Sequence, residues 1–273
     1  MTVTIYRELE QGTPEWLAAR CGILTASQIG KLITKSTPDA LTVACPKCQA
    51  PATEPCISTA RKIPTPIKTI HDDRSAITAQ MPSVLAVADN DTSRALTLTL
   101  AAERITGHVE YVHPTWDMQR GTEDEPWARL AYAEHSRVHV EEVGFITHET
   151  PDYTIGFSPD GLVGDDGLIE IKSRKPHTQI HTVLENRVPG YNMAQIQCGL
   201  YVTGRKWCDY ISFAQGLALY VKRVHADTAW FNAIDNAARA FETNITDIIT
   251  RYTTATNGLP QTERRPEFED IRI

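Results

Sequence analysis

Two acidic side chains and a lysine stand close together in the segment GFSPDGLVGDDGLIEIKSRKP: Asp160, then Glu170 and Lys172 one residue apart. Side chains alternate faces along a strand, so Glu170 and Lys172 share one face while Ile169 and Ile171 take the opposite, apolar face. Asp160 falls at a strand end before a turn. Two acidic oxygens on adjacent strands can hold a hard divalent cation such as Mg²⁺ or Mn²⁺. A lysine beside them can orient or deprotonate a water held by that cation and can offset developing phosphate charge. An exposed Glu-x-Lys pair on an edge strand would do none of this, so the surrounding residues decide between the two readings.

A second constellation is Cys45-Pro46-Lys47-Cys48, Cys56 and His71. Three thiolates and one imidazole suit tetrahedral Zn²⁺, with the C-x-x-C pair as a tight knuckle. All four ligands come from protein, leaving no open position, so this zinc is expected to be structural. A redox C-P-x-C motif would need a preceding strand and a thioredoxin-like unit, and neither is present. A cysteine-ligated iron–sulfur nuclease would need cysteines flanking the core, and Cys198 and Cys208 do not supply that pattern. Three unligated thiols in a loop are the plain alternative. His135 and His139 are spaced like a helical metal pair, but the second enters a strand, so both read as ordinary packing. Trp16 and Trp127 also read as packing residues rather than base-stacking platforms.

The elements that must position these groups follow from periodicity. Helices are expected at 13–19, with Thr13 as N-cap and Pro14 at the first position, and at 25–34, where Ile29, Leu32 and Ile33 share a face. Six of the 16 prolines lie between Pro38 and Pro66, and apolar periodicity stops from about Lys35 to Gln80. A structureless stretch of that length is improbable inside a compact domain, so it reads as an inserted module held by something other than a core. Helical pattern returns at 93–106 and 121–135. Strands are expected at 138–146, 154–158 and 168–173, with GDDG at 164–167 as the turn between the last two. Helices follow at 177–186 and 190–203, a hairpin at 207–213 and 217–224, and a long helix at 227–251. The fold class is α/β (α+β), with a central mixed sheet flanked by helices. The divisions are an N-terminal part of the main domain at 1–35, the zinc module at 36–80, the core of the main domain at 81–255 and a polar tail at 256–273.

Composition bounds the partners. The chain has 273 residues, 41% hydrophobic and 22% charged, as in ordinary globular proteins. No run is long and apolar enough to span a bilayer, and no signal peptide is read at the N-terminus, so a cytoplasmic address is expected. The net charge of −7 argues against a non-specific coat on DNA. It does not exclude a nuclease, whose carboxylates concentrate at the metal while only local basic surface meets phosphate.

Four ordered blocks carry a family resemblance. D-x(9)-E-x-K after S-P-D-G resembles the PD-(D/E)xK nuclease motif and its restriction-endonuclease-like core. W-L-A-A-R-C-G-I-L-T-A-S (Trp16 to Ser27), the Arg120–Arg129 stretch and Met193-Ala194-Gln195-Ile196-Gln197 resemble signatures of the lambda-exonuclease, YqaJ-like viral recombinase family. That resemblance implies that Glu125, Asp160 and Glu170, with Ile171, form the Mg²⁺ or Mn²⁺ site, two ions being expected. Lys172 assists the water. Arg20, Ser27 and Ser158 match positions that hold a terminal 5′-phosphate, where arginine can bind bidentately. The family alignment favours Gln195 as the site glutamine. Helical periodicity instead sets Gln197 on the face of Met193, Ile196 and Leu200, with Gln195 nearly opposite, and both stay open. The block C-P-x-C-x(7)-C-x(14)-H-x-x-R resembles short phage zinc fingers, and the family core lacks it.

The expected function is a metal-dependent 5′→3′ exonuclease on double-stranded DNA ends, leaving 3′ single strands for recombination. A structure-specific or restriction-like endonuclease is the alternative on the same core. A zinc-stabilised DNA-binding or adaptor protein with an inactive core is the alternative of another class. The resemblance further implies a ring-like homotrimer and a single-strand annealing protein as partner.

Overall fold

The computed structural model describes residues 2–58, 60, 63–110 and 112–263. The expected polar tail lies outside the described residues from 264 on.

The chain opens with β1 (Thr2–Tyr6), followed by α1 (Pro14–Ala19). The Thr13 side chain accepts the Trp16 N–H, and Pro14 fills the first turn, as the sequence predicts. The helix expected at 25–34 does not form. Leu24–Thr25 is a short strand, β2, Ile29–Leu32 a 3-10 turn, and Ile33–Ser36 a strand, β3. Ile29 and Leu32 are both buried. In a 3-10 turn residues three apart eclipse one another, so the same spacing serves both geometries. The run then ends in β-branched Ile33 and Thr34, which favour a pleated strand.

Next come α2 (Asp72–Ala79), β4 (Val84–Val87), α3 (Asp91–Thr106) and α4 (Trp116–Ser136). Strand β4 pairs antiparallel with β3 and so brings together the two ends of the cysteine-bearing segment. The strand expected from 138 begins only at β5 (Phe145–Glu149), and before it Glu141 makes a single bridge to Leu162. Then follow β6 (Thr154–Phe157), β7 (Gly161–Val163) and β8 (Gly167–Ser173). The GDDG turn therefore joins β7 to β8, not β6 to β8. Helices α5 (Pro176–Glu185) and α6 (Met193–Thr203), the hairpin β9 (Trp207–Phe213) and β10 (Tyr220–His225), and α7 (Thr228–Ala255) complete the order.

The mixed sheet is divided in two. One sheet runs β1-β5-β6-β2 and the other β10-β9-β8-β7, each with one parallel pair. The larger core lies among the first sheet, α3, α6 and α7, around Leu24, Phe157, Ile196 and Phe241. A smaller core packs Ala128 and Tyr132 of α4 on Ile169, Ile171 and Ile211. Ile169 and Ile171 thus take the apolar face, leaving Glu170 and Lys172 on the other. Among the described residues, no helix is long and apolar enough to cross a membrane.

Candidate active site and cysteine–histidine cluster

Strand β8 carries the site. Asp160 precedes β7, and its Oδ2 accepts the Ile171 N–H at 2.6 Å. Along a strand the N–H and C=O of one residue point to the same edge, so the Ile171 carbonyl also faces the Asp160 side. Glu170 is 1% exposed, and among the described residues its partner is the Lys172 ammonium. The Lys172 ammonium lies 2.5 Å from Glu170 Oε1 and donates to Gln195 Oε1 at 3.2 Å. Burial pushes the Asp160 carboxyl well above its usual range, and the like charges of Glu170 and Glu125 push it further. Glu125 is raised for the same first reason, burial, and Arg129 opposes the shift. Burial works to lower Lys172, but Glu170 and Asp160 outweigh it and hold the ammonium above its ordinary value.

Two residues that sequence reasoning left without a role hold this geometry. Arg129 donates to the Asp160 carbonyl at 2.8 Å, pairs with Glu125 one turn earlier on α4, and pairs with Glu142 at 2.7 Å. Asp124 is 1% exposed and accepts from Ser173 at 2.6 Å and from Gln215 at 2.7 Å. It clamps α4 against the end of β8 and so fixes where its neighbour Glu125 stands. Both lie inside the recognised Arg120–Arg129 block, but the sequence gives neither a role.

The two glutamines separate. Gln195 meets Lys172, whereas Gln197 is buried, donating to the His225 carbonyl at 2.8 Å and accepting the Asp227 N–H at 3.0 Å. Gln197 therefore ties β10 to the start of α7 and is buried away from any substrate, which corrects its place among the expected catalytic residues.

The Arg20 guanidinium lies 4.0 Å from the Trp16 ring centroid, and the Trp16 indole N–H reaches both Ser158 Oγ at 3.0 Å and the Gly144 carbonyl at 3.1 Å. Ser27 follows β2, which runs parallel to β6, and its hydroxyl is 3.2 Å from Thr25 Oγ1. Trp16 thus links Arg20 to Ser158. Gly22 explains the glycine of this block: its φ is +66°, and a Cβ there would lie 2.4 Å from Arg104 Cγ. Trp127 is 64% exposed, so the packing role expected of it is corrected.

In the inserted segment the ligand atoms of Cys45, Cys48, Cys56 and His71 all lie within 4.8 Å of one another. Among the described residues no other His, Cys, Asp or Glu group is gathered so closely. The carboxylates of the active site are instead each engaged, Glu125 by Arg129, Asp160 by the Ile171 N–H and Glu170 by Lys172. The knuckle closes through Gln49 N–H to the Cys45 carbonyl at 2.8 Å and Cys45 N–H to the Ala50 carbonyl at 2.9 Å. Burial opposes ionisation of Cys48, but the N–H groups of Ile57 and Ala50 and the side chains of Cys45 and His71 hold its thiol down to about 6. Arg74, one turn into α2, is fully buried. Its guanidinium donates to the carbonyls of Val43, Glu54, Leu41 and Pro51 and approaches Cys56 Sγ at 3.6 Å.

Residues 71–206 match the YqaJ-like viral recombinase domain. The chain carries a YqaJ-like viral recombinase domain. Residues 12–89 match a phage zinc finger domain, which includes all four Cys and His ligands. The fold of the recombinase domain and its surroundings is similar to that of the alkaline exonuclease LHK-Exo from Laribacter hongkongensis. The two share 26% identity at a TM-score of 0.65, over 91% of this chain and 100% of that one. The structure of LHK-Exo in complex with dAMP matches at 28% identity and a TM-score of 0.64, with the same coverage. Among curated proteins, none matches the chain.

Proposed function

We propose that this chain is a metal-dependent 5′→3′ exonuclease that acts on double-stranded DNA ends and leaves 3′ single-stranded tails for phage-type recombination. Its class, an exonuclease-type deoxyribonuclease, follows from the recombinase-domain match and the two LHK-Exo neighbours. The dAMP bound by that relative accords with DNA as the substrate.

The finer reading is carried by three neighbouring carboxylates, Glu125, Asp160 and Glu170: the buried Glu170 has Lys172 as its one partner among the described residues, and Glu170 and Glu125 both act as like charges on Asp160. Buried charge of one sign is costly unless a counter-charge joins it, and an all-oxygen donor set suits Mg²⁺ or Mn²⁺. Glu125, Asp160, Glu170 and the Ile171 carbonyl would hold two such ions. When bound, they supply Lewis-acid polarisation of the phosphoryl group and charge for the departing oxygen. Lys172, an ammonium between carboxylates, orients the attacking water and offsets charge on the phosphoryl oxygens. Gln195 holds that ammonium in place. Arg20, Ser27 and Ser158 receive the 5′-phosphate and so set which end is cut. A single-strand annealing protein would take up the product strand. Ile180 and Leu184 stand one turn apart on α5, 51% and 80% exposed, an apolar pair that a second copy of the chain in a homotrimer would cover.

The test is end preference. Linear duplexes with 5′-phosphate and 5′-hydroxyl ends are compared, with the label at either terminus of the cut strand. The wild type is expected to favour the phosphate end and to release the 5′ label first. Arg20→Ala should narrow that preference by about tenfold or more, the scale for losing a hydrogen bond to a charged group. Equal rates on both ends in the wild type would transfer the reading to an endonuclease.

The segment at 36–80 is the zinc module in this proposal, with Cys45, Cys48, Cys56 and His71 on one structural Zn²⁺. Arg74 takes the place of a hydrophobic core there. Arg74→Ala leaves four carbonyls without their donor, at about 1–3 kcal/mol each. The variant is expected to release zinc to a chromogenic chelator at least about tenfold faster than the wild type, the scale for removing a group that hydrogen-bonds a metal's ligand. Release at the wild-type rate would show that Arg74 is dispensable.

A further inference from the structure

A groove of about 620 Å³ lies between β3, β4 and the N-terminal end of α6. Its floor forms where Gly30 meets α6, since a Cβ on Gly30 would lie 3.2 Å from Ala194 Cβ. No acidic residue lines it, although acids outnumber Lys and Arg by 34 to 27 in the chain. Lys31 and Lys35 do line it, both are exposed, and neither forms an ion pair among the described residues. Tyr191, 71% exposed, and Trp230 add aromatic surface.

The groove is connected to the active site in two ways. Ser27 lies in its lining. Tyr191 has the Arg174 guanidinium 5.6 Å from its ring centroid, and Arg174 follows β8 directly, donating to Asn192 at 2.9 Å and Tyr210 at 2.8 Å. A second groove of about 660 Å³, on the Glu125 side, has the opposite character. Glu8, Glu10, Glu125 and Glu142 line it against Arg7 and Arg129, so without bound cations it disfavours a phosphate backbone.

We propose that the Lys31–Tyr191 groove binds single-stranded DNA and receives the unpaired strand that digestion leaves. This rests on the exonuclease reading, in which Ser27 marks the terminus of the cut strand, so the strand it parts from must leave nearby. Unpaired lysines meet phosphates without first breaking a protein ion pair. An exposed aromatic ring stacks on a base only when that base is unstacked, so Tyr191 selects single strand over duplex. Because β3 and β4 also close the cysteine-bearing segment, the departing strand runs along the base of the zinc module.

The test uses circular DNA, which offers no end to the nuclease. A fluorescent single-stranded circle and a duplex circle are titrated with the full chain without Mg²⁺ or Mn²⁺, and anisotropy is followed at several salt concentrations. The wild type is expected to prefer the single-stranded circle. Lys31→Ala/Lys35→Ala should weaken that binding about tenfold and reduce the log–log salt slope by about 1.4, about 0.7 for each lost phosphate contact. Tyr191→Ala should weaken it by a similar factor, and Tyr191→Phe should restore it, because stacking needs the ring and not the hydroxyl. All three variants alter exposed side chains, and unchanged melting verifies their folding. Wild-type affinity in both alanine variants, equal loss on the duplex circle, or no single-strand binding by the wild type overturns the proposal. Failure of the exonuclease reading shows separately, as absence of end-dependent cutting on linear duplex.

Discussion

Lys172→Ala and Glu170→Gln are each expected to abolish cleavage of linear duplex DNA while the fold survives. The loss should be at least about 10²-fold in turnover, the scale for removing one preorganised charge-stabilising group. Lys172 touches Glu170 at 2.5 Å and Gln195 at 3.2 Å, so alanine removes both contacts and the positive charge facing the phosphoryl group. Glutamine at 170 keeps the shape of a buried side chain and removes a negative charge that pushes Asp160 upward. A variant of normal stability with wild-type turnover would remove β8 from the chemistry.

Purified without added zinc, the wild type is expected to carry one zinc per chain, and a Cys45→Ser/Cys48→Ser variant none. Among its described residues, the segment between β3 and β4 has only a few buried apolar groups, chiefly its own cysteines and Ala50, so metal binding must supply its folding energy. That contribution is roughly 10 kcal/mol or more in small zinc modules. Loss of zinc should thus expose 37–83 to protease while the sheets, whose cores lie elsewhere, remain resistant. A zinc content near zero, or one unchanged in the double variant, would show that the four ligands hold no zinc.

Legibility in the sequence followed the kind of signal each element carries. Period-two alternation set Glu170 and Lys172 opposite Ile169 and Ile171, and the structure has that division because Ile169 and Ile171 enter the smaller core. Thr13-Pro14 marked a helix start by side-chain chemistry alone. Helix α2 was invisible to apolar periodicity because its buried positions, Arg74 and Thr78, are polar. The same device hid the way the inserted segment is held, since an arginine bonded to four carbonyls does the work of a core. Strands β1 and β4 went unread for another reason. Each exposes apolar side chains, among them Val3, Ile5, Val84 and Val87, and owes its place to pairing with a distant partner. The choice between Gln195 and Gln197 turned on tertiary partners that no periodicity shows. Periodicity did place Gln197 on the buried face; only the bonds to His225 and Asp227 show that this face is structural.

The most direct measurement compares linear duplex DNA bearing 5′-phosphates with the same DNA as a covalently closed circle, each incubated with the protein and Mg²⁺ or Mn²⁺. Progressive release of acid-soluble nucleotides from the linear form, with the circle left intact and no release when metal is withheld, is the predicted result. Nicking or linearisation of the circle at a comparable rate, or no cleavage of either form with both metals supplied, would contradict a metal-dependent exonuclease.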